Sequence, residues 1–386
     1  MTWCTAERRR ALAAALLAVL PFAALPGQAR TLAEAEAALA RAEDKDRTLH
    51  HLQAGVAALR EAQLDASAHH LDEALAAIES VYSSAEGAAK ARSLWYEEGA
   101  KDFKGEPYER AMAFYYRGLV YLTEADYENA RASFRSALMQ SSFAEEQRYR
   151  SGFATLMFLD GWCSQLLGDA AQAAEAYAEA AGYRRDWTPP APDADTLVIA
   201  ELAGAPRKLG DGVGNHEIVY RRAKRTPEKR IEIAQGAGAL KPYAMEDLYV
   251  QATHRGAREI DRIIDGKVAF QKTTGAIGDA AATLASEGAL INVALDGSAG
   301  RALGGLAAVG AIAALVSANV KPRADVRYWA NLPESLHVAT LGAAAAPLGD
   351  VRLLDDAGQA VASDELVRRE WTDPKGRRLV WIKTRR

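Results

Sequence analysis

Residues 118–137 read GLVYLTEADYENARASFRSA. Leu, Glu, Arg and Ala dominate the stretch, and all are good helix formers. Gly118 and Ala130 stand twelve residues apart, Tyr121 follows Gly118 by three, and Phe134 and Ala137 follow Ala130 by four and seven. This spacing predicts two antiparallel helices that turn at Asp126. The two small residues let the helices approach, and Tyr121 and Phe134 fill the space around them. The same spacing recurs on either side. Gly161 is followed by Ala173, Tyr177 and Ala180, with Gly168-Asp169 assigned to the turn. Gly55 is followed by Ser67, Leu71 and Ala74, with Asp65 assigned to the turn.

Three such pairs resemble the tetratricopeptide repeat at several of its signature positions. Their glycines lie 63 and 43 residues apart, whereas the usual period is about 34, so extra segments must separate the units. The largest runs from Ser83 to Glu106 and contains Trp95, Tyr96 and Phe103. A stack of helix pairs exposes a concave face that serves as a binding surface. Tyr108, Tyr115, Tyr116 and Tyr149 are the candidate partner-binding residues on it, because aromatic side chains are frequent interface anchors, with inter-helix core packing as the equal alternative for each.

Outward from the repeats the composition changes. Residues 30–187 form the expected helical domain, with Pro107 its only proline between Thr31 and Gly182. Thr188-Pro189-Pro190-Ala191-Pro192 reads as a linker, since consecutive prolines end a helix and stiffen the chain. Residues 188–386 then follow a strand pattern, with short β-branched runs between Gly, Pro and Asp turns. Strands are expected at Thr196–Glu201, Glu217–Arg222, Lys229–Gln235, Asp247–Thr253, Val326–Trp329, Leu336–Leu341, Val351–Leu354 and Leu379–Lys383. Asp356-Ala357-Gly358 and Asp373-Pro374-Lys375-Gly376 are turn signals. The predicted fold class is α+β: an all-α repeat domain followed by a small antiparallel β-domain of sandwich type. An Ala/Gly-rich apolar segment at about 275–320 interrupts the β-domain, and 302–320 carries no charge. The expectation there is a packed helical hairpin, with contact to an envelope membrane as the alternative.

The N-terminus has export grammar. Arg8-Arg9-Arg10 precedes a short apolar run from Ala11 to Ala24, and Gly27-Gln28-Ala29 offers small residues for a signal peptidase. Residues 1–29 are expected to be removed by cleavage after Ala29. Cys4 precedes the apolar run and is no lipobox cysteine, so Cys163 stands alone in the mature chain, where burial beside Trp162 is expected. With 49% hydrophobic and 25% charged residues, the 386-residue chain has the balance of a globular protein with sizeable cores. The net charge of −4 argues against nucleic-acid binding through phosphate neutralisation.

No pattern of residues announces chemistry. His50-His51 and His69-His70 lack a carboxylate or thiol at an established metal spacing. Neighbouring side chains on a helix point in different directions, so one ring from each pair could meet, but solvated helix faces are the expectation. Gly210-Asp211-Gly212-Val213-Gly214-Asn215 lacks the Lys-Ser/Thr and the following helix of a phosphate loop, and is expected to form a hairpin. Gly297-Ser298-Ala299-Gly300 misses the nucleophile-elbow spacing. His254 and His337 have no paired nucleophile. The run Arg221, Arg222, Lys224, Arg225, Lys229, Arg230 is expected to decorate a solvated hairpin, as basic residues do on sheet edges. No catalytic residue, metal ligand or cofactor is assigned.

The stretches FKGEPYERAMAFYYRGLVYL (103–122) and the repeat after it, ATHRGAREIDRIIDGKVAF (252–270) and DVRYWANLP (325–333) resemble an uncharacterised family of bacterial envelope proteins with tetratricopeptide repeats. Many of its members are lipoproteins; this chain departs from them in having no lipobox. The resemblance implies a periplasmic or envelope location and carries no catalytic residues. The expected function is an exported scaffold that binds protein partners through its repeats. A membrane-associated assembly component and an enzyme acting on cell-wall glycan are the alternatives.

Overall fold

The computed structural model describes residues 31–83, 102–142, 152–184, 186–211, 217–253, 324–362 and 366–384. The expected signal peptide, the Ala/Gly-rich segment, Tyr149, His254 and Gly212–Asn215 lie outside them.

The helices are α1 (Leu32–Leu39), α2 (Arg47–Arg60), α3 (Leu64–Ser83), α4 (Pro107–Thr123), α5 (Tyr127–Ser142), α6 (Ala154–Leu167) and α7 (Ala170–Tyr183). Local chemistry sets their starts. Thr31 and Glu34 form a reciprocal capping box on α1. Before α4, Gly105 takes φ +70°, Glu106 caps, Pro107 occupies the first turn, where it forfeits no hydrogen bond, and Glu109 closes the box.

Consecutive helices pair as α2/α3, α4/α5 and α6/α7, and all three pairs close in the same way. Gln63 N–H donates to Ala58 O at 2.9 Å, Asp126 N–H to Tyr121 O at 3.0 Å, and Asp169 N–H to Ser164 O at 2.9 Å. Each is the long bond of a Schellman turn, which needs a left-handed residue just before its donor. Ala62 (φ 58°), Ala125 (φ 60°) and Gly168 (φ 85°) take that role. Each stands seven residues after the glycine of its helix. Asp65 lies beyond the turn to which its spacing assigns it, in the first turn of α3.

The strands are β1 (Ala194–Leu202), β2 (Arg207–Asp211), β3 (Glu217–Arg221), β4 (Arg230–Gln235), β5 (Gly238–Leu240), β6 (Tyr243–Asp247), β7 (Ser335–Gly342), β8 (Leu348–Leu354), β9 (Ala360–Val361), β10 (Leu366–Thr372) and β11 (Arg378–Thr384). A short helix, α8 (Leu248–Thr253), follows β6. The chain is thus α+β. Among the described residues the strands form three sheets, in the orders β10-β11-β1-β7-β6, β2-β3 and β5-β4-β8-β9. The five-stranded sheet is mixed rather than antiparallel throughout, because β1 runs parallel to β11. The C-terminal strand returns beside the first strand of the region, and Leu197↔Leu379, Ile199↔Trp381 and Glu201↔Lys383 are register partners.

Alternation along β1 and β11 explains why both read as continuous apolar runs. Side chains on successive residues point to opposite faces, and here both faces are covered. Leu197, Ile199, Leu379 and Trp381 join the cluster that holds the helices. Val198, Ala200, Leu202, Val380 and Ile382 pack with Ile231, Ile233 and Leu353 of β4 and β8. The five-stranded sheet is the middle layer, and one core runs from the helices into it.

Two expected strands take other forms. At Asp247–Thr253 the strand ends at Asp247, whose carboxylate accepts from Tyr249 N–H at 2.9 Å and Val250 N–H at 3.3 Å. That satisfies the first donors of a helical turn instead. At Val326–Trp329 the backbone donors go to carboxylates: Arg327 N–H to Asp325 and Trp329 N–H to Glu109, at 2.9 and 2.7 Å. A segment whose donors are met this way has no need of a neighbouring strand. The turns at Gly358 and Gly376 form as their residues require, with φ +80° and +82°.

Candidate functional site

Each helix pair meets at its glycine. A Cβ on Gly55 would stand 2.8 Å from Leu71 Cγ, and one on Gly161 would stand 2.6 Å from the Tyr177 ring. One on Gly118 would press still deeper into the Phe134 ring. Twelve residues after each glycine, Ser67, Ala130 and Ala173 are buried on the facing helix, and Ser67 donates its hydroxyl to Gly55 O at 2.8 Å. Leu71, Ala74, Phe134, Ala137, Tyr177 and Ala180 complete the contacts from within the core. Tyr121 is only half-buried, and the Arg117 guanidinium lies 3.8 Å from its ring centroid.

The candidate partner-binding tyrosines are placed differently. Tyr108 is 1% exposed, and Tyr115 and Tyr116 are 0% exposed, so none of the three can touch a partner. The reason is that the chain's own sheet covers the face formed by the first helices of the pairs. Tyr115 and Tyr116 donate to the two oxygens of Glu201 on β1, at 3.0 and 2.6 Å. Trp381 Nε1 and Lys383 Nζ on β11 reach the same carboxylate at 2.8 and 2.7 Å. The cluster is closed to solvent. Burial holds the Lys383 ammonium below its ordinary pKa, a shift that Glu201 opposes and that Arg60 reinforces. Burial, with the Glu201 charge, pushes both tyrosine hydroxyls up.

Further polar contacts fasten the same face. Lys208 on β2 meets Glu106 at 2.7 Å, both buried. Burial works against the Lys208 charge, but Glu106, Asp325 and Glu109 outweigh it and its pKa rises. Glu109 accepts from Trp329 N–H and Glu106 N–H, and burial still lifts its carboxyl to about 7. Glu246 is also raised to about 7 by burial, against the pull of Arg184 at 2.9 Å. Arg327 bridges Asp325 and Asp46, and Arg369 donates to Arg60 O at the end of α2. The two raised carboxyls are enclosed among these partners and present no open acid–base pair.

A small, shallow cleft follows the seam near the α4–α5 turn, between Tyr127, Trp162, Trp371 and Asp373. Tyr127 donates to Asp373 at 2.7 Å, and the other Asp373 oxygen accepts from Lys375 and Arg377 N–H. The aspartate therefore holds its own turn against the helices.

Of the basic run, Arg222 and Lys229 pair with the buried Glu334, and Arg230 donates to Asp355 O and Asp356 O. These bonds tie three of the six to the fold, while Arg221, Lys224 and Arg225 are solvent-exposed as expected; the run is not a hairpin tip, because it links β3 and β4, which lie in different sheets. Gly210 and Asp211 lie in β2, paired with β3. His337 is buried beside Ser335, its pKa lowered to about 4 by burial. Cys163 is buried and its thiol pushed up by burial.

The histidine pairs do not lie on solvated faces alone. One ring from each meets its neighbour: His51 Nδ1 and His70 Nδ1 stand 3.2 Å apart, and His70 is 5% exposed. His70 Nε2 faces Glu36 of α1 at 3.6 Å. Burial lowers both imidazole pKa values, that of His51 to about 4, where the His70 charge adds to the effect.

Among the described residues no helix is long and apolar enough to cross a membrane. In comparisons with known proteins, the chain matches no family model, no curated protein and no solved structure.

Proposed function

We propose that the chain is an exported envelope scaffold that binds a protein partner on the outer helices of its repeats, α3, α5 and α7. The observation that carries this reading is the Glu201 cluster. It closes the inner face of the helix stack against the chain's own sheet, and so leaves the opposite face for any partner. That face alternates buried and exposed positions along all three helices, and Met139 on α5 is 61% exposed. The repeated glycine contacts and identical turn closures support tetratricopeptide-type units. The shared cluster of β1, β11, β4 and β8 supports a two-layer sandwich. The signal-like N-terminus and the resemblance to envelope repeat proteins support the location.

The test is site-specific photo-crosslinking in cells producing the full chain, with probes at Met139, Glu79 and Glu175 and a control at Lys241 on the sheet side. One discrete adduct from the outer helices and none from Lys241 is the expected result. The mature N-terminus should be Arg30 in the periplasmic fraction. Absence of adducts at all three helix positions, or a cytoplasmic chain with Met1 intact, overturns the reading.

A further inference from the structure

The geometry points to a divalent transition-metal site between α1, α2 and α3, with His51 and His70 as its protein ligands and Glu36 as the residue that orients His70. This proposal is independent of the scaffold reading.

The first ground is the bite. Two imidazole nitrogens at about 2.0–2.1 Å from a tetrahedral zinc ion stand about 3.3 Å apart. His51 Nδ1 and His70 Nδ1 already stand 3.2 Å apart. The rings are tilted by 53° with centroids 5.3 Å apart, so they converge edge to edge rather than stacking. The second ground is the outer partner. His70 coordinating through Nδ1 leaves Nε2 as its N–H, and Glu36 Oε1 stands 3.6 Å from that nitrogen, just beyond hydrogen-bond distance, so that a small side-chain shift would close the bond. A carboxylate behind a ligating imidazole fixes its tautomer and raises its basicity. The third ground is charge and access. Glu73, one helical turn after His70, acts electrostatically on both rings. Glu36, Glu73 and His69 are exposed, and His51 is half-buried, so an ion can enter from solvent. Among the described residues no third His, Cys, Asp or Glu converges with the pair. Solvent therefore completes the shell, and the site is an exchangeable one. Imidazole pairs suit zinc, copper and nickel and not calcium or magnesium.

The experiment uses the untagged full chain, freed of metal by chelator and dialysed. Zn2+ is titrated calorimetrically, with Mg2+ as the control, on the parent and on His51→Gln, His69→Gln and Glu36→Gln. The parent should bind one equivalent of Zn2+ saturably and no Mg2+. His51→Gln should weaken binding by more than about tenfold and Glu36→Gln by about tenfold, while His69→Gln should match the parent. Circular dichroism of each apo variant checks that it folds as the parent does. Equal affinity in parent and His51→Gln, or no saturable equivalent at all, would overturn the site and leave a plain imidazole–imidazole hydrogen bond.

Discussion

At the centre of each helix pair the contact is a glycine set against a Leu side chain or an aromatic ring. Between the helices and the five-stranded sheet it is Glu201 with Lys383, two tyrosines and an indole, flanked by Glu106–Lys208 and Arg184–Glu246. The first kind of contact is local in sequence, and its two sides lie sixteen residues apart. The second joins residues far apart in sequence, 267 positions for Lys383 and Tyr116 and 309 for Arg369 and Arg60. An apolar contact between pre-formed helices stabilises almost any register that fits. A buried ion pair with every oxygen committed tolerates one arrangement, and in some proteins such groups fix a specific docking at little net gain in stability. The helix–sheet seam is built for placement and the helix–helix seams for adhesion.

The largest effect should come from splitting the buried pair. Glu201→Leu leaves the Lys383 ammonium and two tyrosine hydroxyls without their acceptor, and should cost about 3–5 kcal/mol in urea unfolding. Adding Lys383→Met should recover part of that loss by removing the unpaired charge, while the two tyrosine hydroxyls and the Trp381 N–H stay without their acceptor. A double variant that is as stable as the parent but unfolds in two separate steps would show that the pair fixes docking rather than adding stability. A single variant costing under about 1 kcal/mol would sink the contrast, because such values belong to exposed pairs.

The next effect tests the helix–helix side. Gly118→Ala drives a methyl group into the Phe134 ring and should cost about 1–3 kcal/mol, the usual penalty of overpacking. Gly161→Ala meets the Tyr177 ring and belongs with it, whereas Gly55→Ala meets Leu71 Cγ and Cδ2, an aliphatic side chain that can change rotamer more readily than a ring can move, and should cost less. Phe134→Leu placed on Gly118→Ala should return part of the loss. Equal costs at all three glycines would mean that the ring contacts are not what sets the spacing.

This division also explains what could be read in the sequence. The twelve-residue spacing names both partners of each helix contact, so Gly118, Ala130 and Phe134 can be paired from the order of residues alone. Short β-branched runs between turn residues likewise locate β1, β7 and β11. Nothing in the sequence links Tyr115 to Glu201, because no local period connects a helix with a strand 86 residues on. The tyrosines therefore read equally as an exposed binding face or as inter-helix core, and neither reading names the sheet that covers them. One signal did exist: Glu201 ends the apolar run TLVIAE and Lys383 ends LVWIK, and a charge within a strand covered on both faces calls for a buried partner. The strand readings at Asp247 and Asp325 failed for a related reason. Their carboxylates capture backbone donors within two or three residues, which β-branched composition does not reveal.

The smallest effect should be a gain. Ala62 and Ala125 hold left-handed φ values of 58° and 60° where the third pair has Gly168 at 85°. The left-handed conformation costs an L-residue about 1–2 kcal/mol, and the greater freedom of glycine when unfolded takes back roughly 0.5–1 kcal/mol of what its substitution relieves. Ala125→Gly and Ala62→Gly should therefore each stabilise the chain by about 0.5–1 kcal/mol, seen as a higher urea midpoint with an unchanged slope. Gly168→Ala should destabilise by a similar amount, although nothing stands within 4 Å of the added methyl, so that its cost is backbone strain alone. If the three turns are equivalent closures of one repeated unit, the two gains and the loss should agree in size. A marked inequality would mean that each turn is held by its own surroundings, and the helix pairs would then be similar in spacing without being copies of one design.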